Sequence, residues 1–138
     1  MSKTIAIDFD GVIHKYSKGW NDGTCYDEPV EGVLDFIQDL IDKQISVFIL
    51  STRNPKDIKE WLSKYWIHYT HIIEEDCMFW NGKAVIGITN RKLPAHVYID
   101  DRGMKFDGSF DNTFNNILSF KTWQEEKEEK KLLRKLLE

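Results

Sequence analysis

The chain has 138 residues, of which 41% are hydrophobic and 30% are charged, and this composition is typical of one globular domain with a buried core. A formal net charge of −4 without a basic run argues against a dedicated nucleic-acid-binding protein, although it leaves room for a local basic patch. The two cysteines, Cys25 and Cys77, lack the spacing of a disulfide framework or a zinc site, and no segment is apolar enough to span a membrane. We therefore expect a cytoplasmic protein whose cysteines are small buried residues.

The segment at residues 3–14, KTIAIDFDGVIH, leads from an apolar stretch directly into paired acidic residues. The apolar stretch predicts a strand that is buried on both faces, as in parallel sheets. Asp8 and Asp10 lie two positions apart, so both side chains can point the same way at the strand end. Because neighbouring carboxylates repel each other, we expect them to share a cation or a proton, while Gly11 lets the backbone turn away. A strand followed by an ordinary acidic loop is the alternative interpretation.

The next stretch, residues 14–28, shows no clear period and predicts a loop or small flap that leaves the end of the first strand. Ligands of open α/β sheets bind at that edge, so His14, Tyr16 and Trp20 are candidates to line a pocket. Simple anchoring of a long loop by its aromatic side chains is the favoured interpretation of these three residues.

Residues 27–29 predict the start of the first helix, because proline suits the first helical position and an acid suits the N-terminal dipole. Apolar residues follow at helical spacing and predict a face packed on the sheet: Val30, Val33, Leu34, Ile37, Leu40 and Ile41.

Residues 45–50 predict a second buried strand that ends in Ser51, Thr52 and Arg53. Small hydroxyl groups and backbone N–H groups at a strand end can cradle a phosphate, and ordinary helix-entry chemistry explains the two hydroxyl residues equally well. Residues 54–55 then cap a second helix, whose inner face carries Ile58, Trp61, Leu62 and Tyr65.

Residues 68–73 predict a short third strand, which an exposed acidic turn follows. Residues 78–85 predict a small hairpin, because their Asn-Gly pair supplies the positive φ angles of a tight turn. Such a hairpin would cover an edge of the site or an edge of the sheet.

Residues 97–99 predict a fourth strand, and the sequence DDRG at residues 100–103 repeats the acidic ending of the first strand. Two such endings in one parallel sheet would bring four carboxylates together, and hard oxygen ligands of this kind select Mg²⁺. For Asp107, a place in a turn is favoured over a role as an outer metal ligand.

Residues 117–118 predict a last strand, and residues 122–138 predict a charged helix. The middle of this helix, QEEKEEKK, has no apolar face and should be solvated. Its end carries an apolar patch: Leu132, Leu133, Leu136 and Leu137. Docking on the core or simple packing at the helix end is favoured over contact with another chain in a homo-oligomer.

The alternation of strands and helices predicts an α/β fold with a three-layer, doubly wound parallel sheet. Three strand endings in a fixed order, DFDGV, LSTR and the run from Lys92 to YIDDR, resemble the haloacid dehalogenase (HAD)-like hydrolases over residues 5–103. The STR and DDR endings also resemble the phosphatase domain of phage polynucleotide kinases, and VYIDDRGMKFDGSF resembles small phage and bacterial members of the superfamily. The resemblance implies a phosphatase core over residues 1–120, with the flap, and a separate C-terminal helix over residues 121–138.

The resemblance further implies a phosphoric monoester hydrolase that uses Mg²⁺ and forms an aspartyl-phosphate. Asp8 matches the position of the nucleophile, and Asp10 matches the general acid that protonates the leaving oxygen and then acts as base towards water. Lys92 would offset the charge of the transferring group and steady Asp8, with Arg91 as the second candidate for that role.

The same match implies the residues that would contact the metal and the phosphate. Mg²⁺ would be held by Asp8, Asp10 through its backbone carbonyl, Asp100 and Asp101. Phosphate would be bound by Ser51, with Thr52, Arg53 and Gly11 as further candidates.

The family usually carries a cap domain that selects the substrate, and neither insert of this chain has room for a full cap. An open site suits a nucleic-acid end, a protein, or a small phosphate ester if an oligomer partner closes it. The alternatives are therefore a nucleotide or polynucleotide-end phosphatase and a non-catalytic regulatory or binding protein on the same scaffold, which would act through its C-terminal helix.

Overall fold

The computed structural model describes residues 3–138, and these residues form five strands and four helices in two compact units. The first unit ends at Asp100 and contains β1 (Thr4–Asp8), α1 (Val33–Asp42), β2 (Ser46–Leu50), α2 (Pro55–Lys64), β3 (Thr70–Ile72), β4 (Ile86–Thr89) and β5 (Val97–Ile99). The second unit, Asp101–Glu138, contains α3 (Phe110–Ser119) and α4 (Trp123–Leu137). None of the helices in the described residues is both long enough and apolar enough to cross a membrane.

The five strands form one parallel sheet in the order β3-β4-β2-β1-β5. On one side of β1 the register pairs Asp8 with Leu50, and it pairs Leu50 in turn with Thr89. On the other side of β1 it pairs Ile7 with Ile99. Because all strands run the same way, their carboxyl ends meet at one edge of the sheet.

Different parts of the chain cover the two faces of this sheet. Helices α1 and α2 pack on one face, where the larger core includes Ile5, Ile7, Val47, Ile49, Ile86 and Ile88 of the strands and Ile37, Ile41, Ile58 and Leu62 of the helices. On the opposite face, Ala6 and Phe48 pack against Ile73, Trp80 and Leu93. Leu93 belongs to the β4–β5 connection, so this connection passes over the face opposite α1 and α2. This confirms the α/β fold with three layers and a doubly wound parallel sheet, and no insert of the described residues forms a full cap.

The predicted start of the first helix at residues 27–29 is wrong, because α1 begins at Val33. The N–H of Val30 instead donates to the carbonyl of Ile13 at 2.8 Å, so this stretch is held against the end of the first segment. Gly32, with a φ of 86°, then leads the chain into the helix. The apolar face is confirmed at its buried positions, Val33, Ile37 and Ile41.

The hairpin predicted at residues 78–85 is also wrong, since no strand forms there, and strand β4 is absent from the predicted elements. Trp80 is buried against the sheet, and a Cβ atom on Gly87 would lie 2.8 Å from its Cε2 atom. Gly87 therefore leaves the space on β4 that the indole fills. Burial of this large ring outweighs the local turn preference of the Asn-Gly pair.

In the second unit, the strand predicted at residues 117–118 is wrong, because these residues lie in α3. Ser109 caps this helix by accepting a hydrogen bond from the N–H of Asn112 at 3.2 Å, and Asp107 accepts one from the N–H of Ser109 at 2.9 Å, as in a turn. The charged C-terminal helix is confirmed as α4. Its apolar patch is exposed at Leu132, Leu133, Leu136 and Leu137.

Candidate functional site

Three carboxylates converge where the strand order reverses. Strands β2, β4 and β3 lie on one side of β1, and β5 lies on the other, which is the position where ligands bind in open α/β sheets. Asp8 ends β1, and Asp100 directly follows β5, so the pairing of the preceding residues places them side by side. One ligand oxygen from each of Asp8, Asp100 and Asp101 lies within 4.8 Å of the other two. Because every donor is a carboxylate oxygen, this acidic triad fits a hard divalent cation such as Mg²⁺.

Asp10 lies outside the acidic triad and has partners of its own. Its Oδ1 atom lies 2.9 Å from Nδ1 of His14, and the Nε–H of Arg53 donates to Oδ1 at 3.0 Å and to Oδ2 at 2.9 Å. The Asp10 side chain keeps 19% of its surface exposed, whereas its two partners are buried. The carboxylate is therefore held from the protein side and remains accessible to solvent.

His14 belongs to the core rather than to a pocket wall, since its side chain is 0% exposed. Its ring stacks on Phe9 with a centroid distance of 5.1 Å and an angle of 3°. The rings of Tyr26 and Trp61 lie nearly perpendicular to it, with centroid distances of 5.2 and 5.6 Å. The N–H of Asp27 donates to Nε2 at 2.9 Å, which ties the far end of the flap to this ring.

Arg53 connects the end of β2 to the flap. Besides binding Asp10, its Nη1 atom donates to the carbonyl of Gly23 at 2.6 Å. Its guanidinium group lies over the rings of Trp20 and Tyr16, at 4.6 and 5.8 Å from their centroids. The side chain is only 2% exposed, yet its Nη2 atom is buried without a hydrogen-bond partner in the described residues. A buried donor without an acceptor is costly, so this atom is suited to meet an anionic ligand.

The other predicted phosphate ligands differ in their burial and in the hydrogen-bond donors that they have available. Ser51 is buried, and its Oγ atom accepts from the N–H of Arg53 at 3.2 Å, which leaves its own hydroxyl proton available to donate. Thr52 is exposed. Gly11 has a φ of 85°, as its predicted turn requires, but its N–H donates to the carbonyl of His14 at 2.8 Å. Of these three, Ser51 is therefore the best placed to donate a hydrogen bond to a phosphoryl oxygen.

The two cationic candidates after β4 have contacts that differ from their predicted roles. Lys92 is exposed, and its Nζ atom lies 5.0 Å from the centroid of the Tyr98 ring. Arg91 donates from Nη2 to the carbonyls of Glu74 and Cys77, at 2.7 and 3.0 Å, and so anchors the loop after β3. The role predicted for Lys92 would require its ammonium group to leave Tyr98 and approach the transferring phosphate.

Sequence reasoning missed the partnership of Asp10 with His14 and Arg53. The histidine follows Asp10 by four residues on a tight turn, where the carbonyl of Phe9 accepts from the N–H groups of Val12, Ile13 and His14. That spacing was a usable signal. The arginine lies 43 positions away in the chain, and no local pattern indicates that contact.

The comparisons with known proteins support the fold and do not indicate an activity. No family model matches the chain, and no curated protein matches it. Among solved structures, the chain is similar to the conserved protein coded by a locus from Bacteroides thetaiotaomicron, with a TM-score of 0.51 and 21% sequence identity. That match covers 91% of this chain and 97% of the other. At this identity the likeness shows a shared α/β fold alone.

The flap is anchored by a titratable group, Asp27. Burial by itself raises the pKa of Asp27, but hydrogen bonds from the hydroxyl and N–H groups of Ser17, at 2.5 and 2.9 Å, outweigh burial and hold its pKa below the ordinary value. A carboxyl group whose pKa is lower in the folded state than in the unfolded state stabilises the fold above the unfolded value of about 3.9. That stabilisation is lost as the pH falls through the folded-state pKa.

We therefore predict that Asp27→Asn lowers the free energy of unfolding near neutral pH, and that the difference from wild type shrinks as the pH falls below about 4. Urea unfolding at a series of pH values measures this difference. The matched variant Ser17→Ala removes a donor to the same carboxylate and should give a smaller difference that shrinks over the same pH range. A difference that does not change with pH would contradict the role assigned to Asp27.

Proposed function

We propose that this protein is a Mg²⁺-dependent phosphomonoester hydrolase that works through an aspartyl-phosphate on Asp8. The observation that carries the proposal is the convergence of the Asp8, Asp100 and Asp101 oxygens within 4.8 Å at the reversal of strand order. Asp10, two residues after Asp8, supplies a carboxyl group for proton transfer. The ordered resemblance of the three strand endings to HAD-like phosphatases supports the same chemistry.

In the first step, a carboxylate oxygen of Asp8 forms a bond to phosphorus, and the bond between phosphorus and the ester oxygen breaks. Asp10, in its protonated form, gives its proton to the departing oxygen, so the product leaves as an alcohol. The phosphoryl group then remains on Asp8 as an acyl phosphate.

In the second step, water attacks phosphorus, and Asp10, now ionised, accepts a proton from it. The bond between phosphorus and the Asp8 oxygen breaks, which releases inorganic phosphate and restores both carboxyl groups to their starting states. The atoms balance, since one water molecule is consumed for each ester bond broken.

Three side chains stabilise the charge on the transferring group. Ser51 donates a hydrogen bond from its hydroxyl, and the buried Nη2 of Arg53 donates to a phosphoryl oxygen. Lys92 contributes once its ammonium group leaves the Tyr98 ring. Mg²⁺, when bound by the acidic triad, would supply Lewis-acid stabilisation of the phosphoryl oxygens.

We predict that Asp8→Asn lowers phosphate release from p-nitrophenyl phosphate by about 10³-fold or more, because an amide cannot act as the nucleophile. The control Asp39→Asn changes an exposed aspartate of α1 and should keep wild-type activity. Release of phosphate is measured with and without Mg²⁺, and circular dichroism checks that both variants are folded. An Asp8→Asn protein with undiminished activity would end the proposal.

A nucleotide or polynucleotide-end phosphatase is the narrower second candidate, and an exposed aromatic ring favours it. Trp20 is 52% exposed and stacks on Arg53, so its open side is available to a nucleobase next to the proposed phosphate site. The net charge of −4 disfavours a long nucleic-acid footprint. We therefore expect a preference for mononucleotides and 3′- or 5′-phosphorylated ends over p-nitrophenyl phosphate, and a Trp20→Ala variant should lose that preference. Equal turnover of all these esters by wild type would contradict this candidate.

We further propose that the exposed leucines of α4 form a contact surface for another protein chain, most simply a second copy of this one. The same surface is what a binding protein without catalytic activity would use. Removal of residues 121–138 should convert an oligomer into a monomer, measured as the mass in solution divided by the mass of one chain, and leave turnover intact. A full-length protein that is already monomeric, or a truncated protein with the same number of chains per particle, would contradict the oligomer. Cys25 and Cys77 are free thiols that are partly exposed rather than buried as predicted. We propose a reducing, cytoplasmic setting for the protein.

A further inference from the structure

We infer that His14 is a positioning residue for the acid–base carboxyl group, and that it directs the transferred proton to Oδ2 of Asp10. The inference rests on the proposed phosphatase chemistry and goes beyond it, because it assigns a role to a buried residue that contacts neither metal nor phosphate in that mechanism. Its basis is the hydrogen bonding around one imidazole ring.

The tautomer of His14 is set by a main-chain group. The N–H of Asp27 donates to Nε2 at 2.9 Å, so Nε2 must be the nitrogen that carries no proton. A neutral imidazole has a single N–H, which therefore lies on Nδ1 and donates to Oδ1 of Asp10 at 2.9 Å. Since a peptide N–H cannot become an acceptor, this arrangement has a fixed direction.

The orientation of the ring is fixed as well. The ring of Phe9 stacks on His14, and the rings of Tyr26 and Trp61 pack nearly perpendicular to it. With 0% of the side chain exposed, no solvent competes for Nδ1. The Nδ1–H group thus presents a donor to Asp10 at a defined place, in the way that a third residue orients a catalytic group in other enzymes.

The two partners leave one open position on the Asp10 carboxylate. A carboxylate offers about four lone-pair positions on its two oxygens. Oδ1 accepts from both His14 and Arg53, whereas within residues 3–138 Oδ2 accepts from Arg53 alone. Oδ2 therefore keeps a lone pair for the proton that moves to the leaving oxygen and later comes from water. Loss of the His14 donor would free Oδ1 and let the carboxyl group rotate.

A positioning role differs measurably from a purely structural one. Protonation by a general acid matters most for a poor leaving group, and general acid catalysis contributes about 10²–10⁴-fold. A nitrophenolate ion leaves without much help, whereas an alkoxide does not. A histidine that only packs in the core would affect both types of ester equally when it is changed.

The test compares kcat/KM for p-nitrophenyl phosphate and an alkyl phosphate, because kcat/KM includes only the steps up to departure of the leaving group. We expect His14→Phe, which keeps a ring without N–H, to lower the alkyl phosphate value by about 10²-fold and the aryl value by less than about fivefold. His14→Asn retains an N–H near the position of Nδ1 and should recover most of the alkyl activity. The control His71→Phe changes a half-exposed histidine bound to Glu74 and should keep the wild-type ratio.

A second measurement is independent of activity and of the stability of the variants. Nitrogen-15 NMR of the wild-type protein should show His14 with its proton on Nδ1 and an unprotonated Nε2. A proton on Nε2 would overturn the inference, as would equal losses for both esters in His14→Phe with no recovery in His14→Asn. If wild type releases no phosphate from any ester, the proposed phosphatase function itself fails. If wild type is active and only the leaving-group pattern is absent, the positioning role alone fails.

Discussion

The proposed site depends on the parallel strand arrangement, which brings carboxylates from separate parts of the chain to one edge of the sheet. Asp8 and Asp100 follow neighbouring strands that run the same way, so the topology itself places them together, and Asp101 is the next residue in the chain. Carboxylate oxygens at this spacing are the donors that a hard divalent cation prefers. We propose Mg²⁺ as the ligand of this edge.

Asp10 has a partner inside the protein, because Arg53 contacts its carboxyl group and offsets its negative charge whenever it is ionised. That arginine also holds Gly23 and stacks on Trp20, so one guanidinium links the proposed acid–base residue to the flap. Removing one partner of a largely buried ion pair leaves the other charge uncompensated, which makes the pair costly to disrupt. The flap is therefore held to the edge of the sheet by Arg53, the same side chain that binds the proposed acid–base residue.

The strands that end in the proposed site residues could be predicted from the sequence, because apolar runs followed by acids or hydroxyls are strong local signals. The sequence pattern did not predict β4, in which Gly87 leaves space for Trp80, because the need for that space arises only in the folded protein. It misplaced the start of α1, since the hydrogen bond from Val30 to Ile13 depends on the folded flap. In the site, the acidic triad follows from the order of the strands, whereas the contact of Arg53 with Asp10 spans 43 positions and depends on the tertiary structure.

The central claim is that acidic groups from separate strands act as one cation site beside the attacking oxygen. Isothermal titration of Mg²⁺ into wild type and Asp100→Asn tests it most directly, with Asp39→Asn as the control. We predict one binding site in wild type and in the control, and binding weakened by about tenfold or more in Asp100→Asn, as expected for loss of a charged oxygen ligand. Equal Mg²⁺ affinity in all three proteins, or no binding by wild type, would contradict the account.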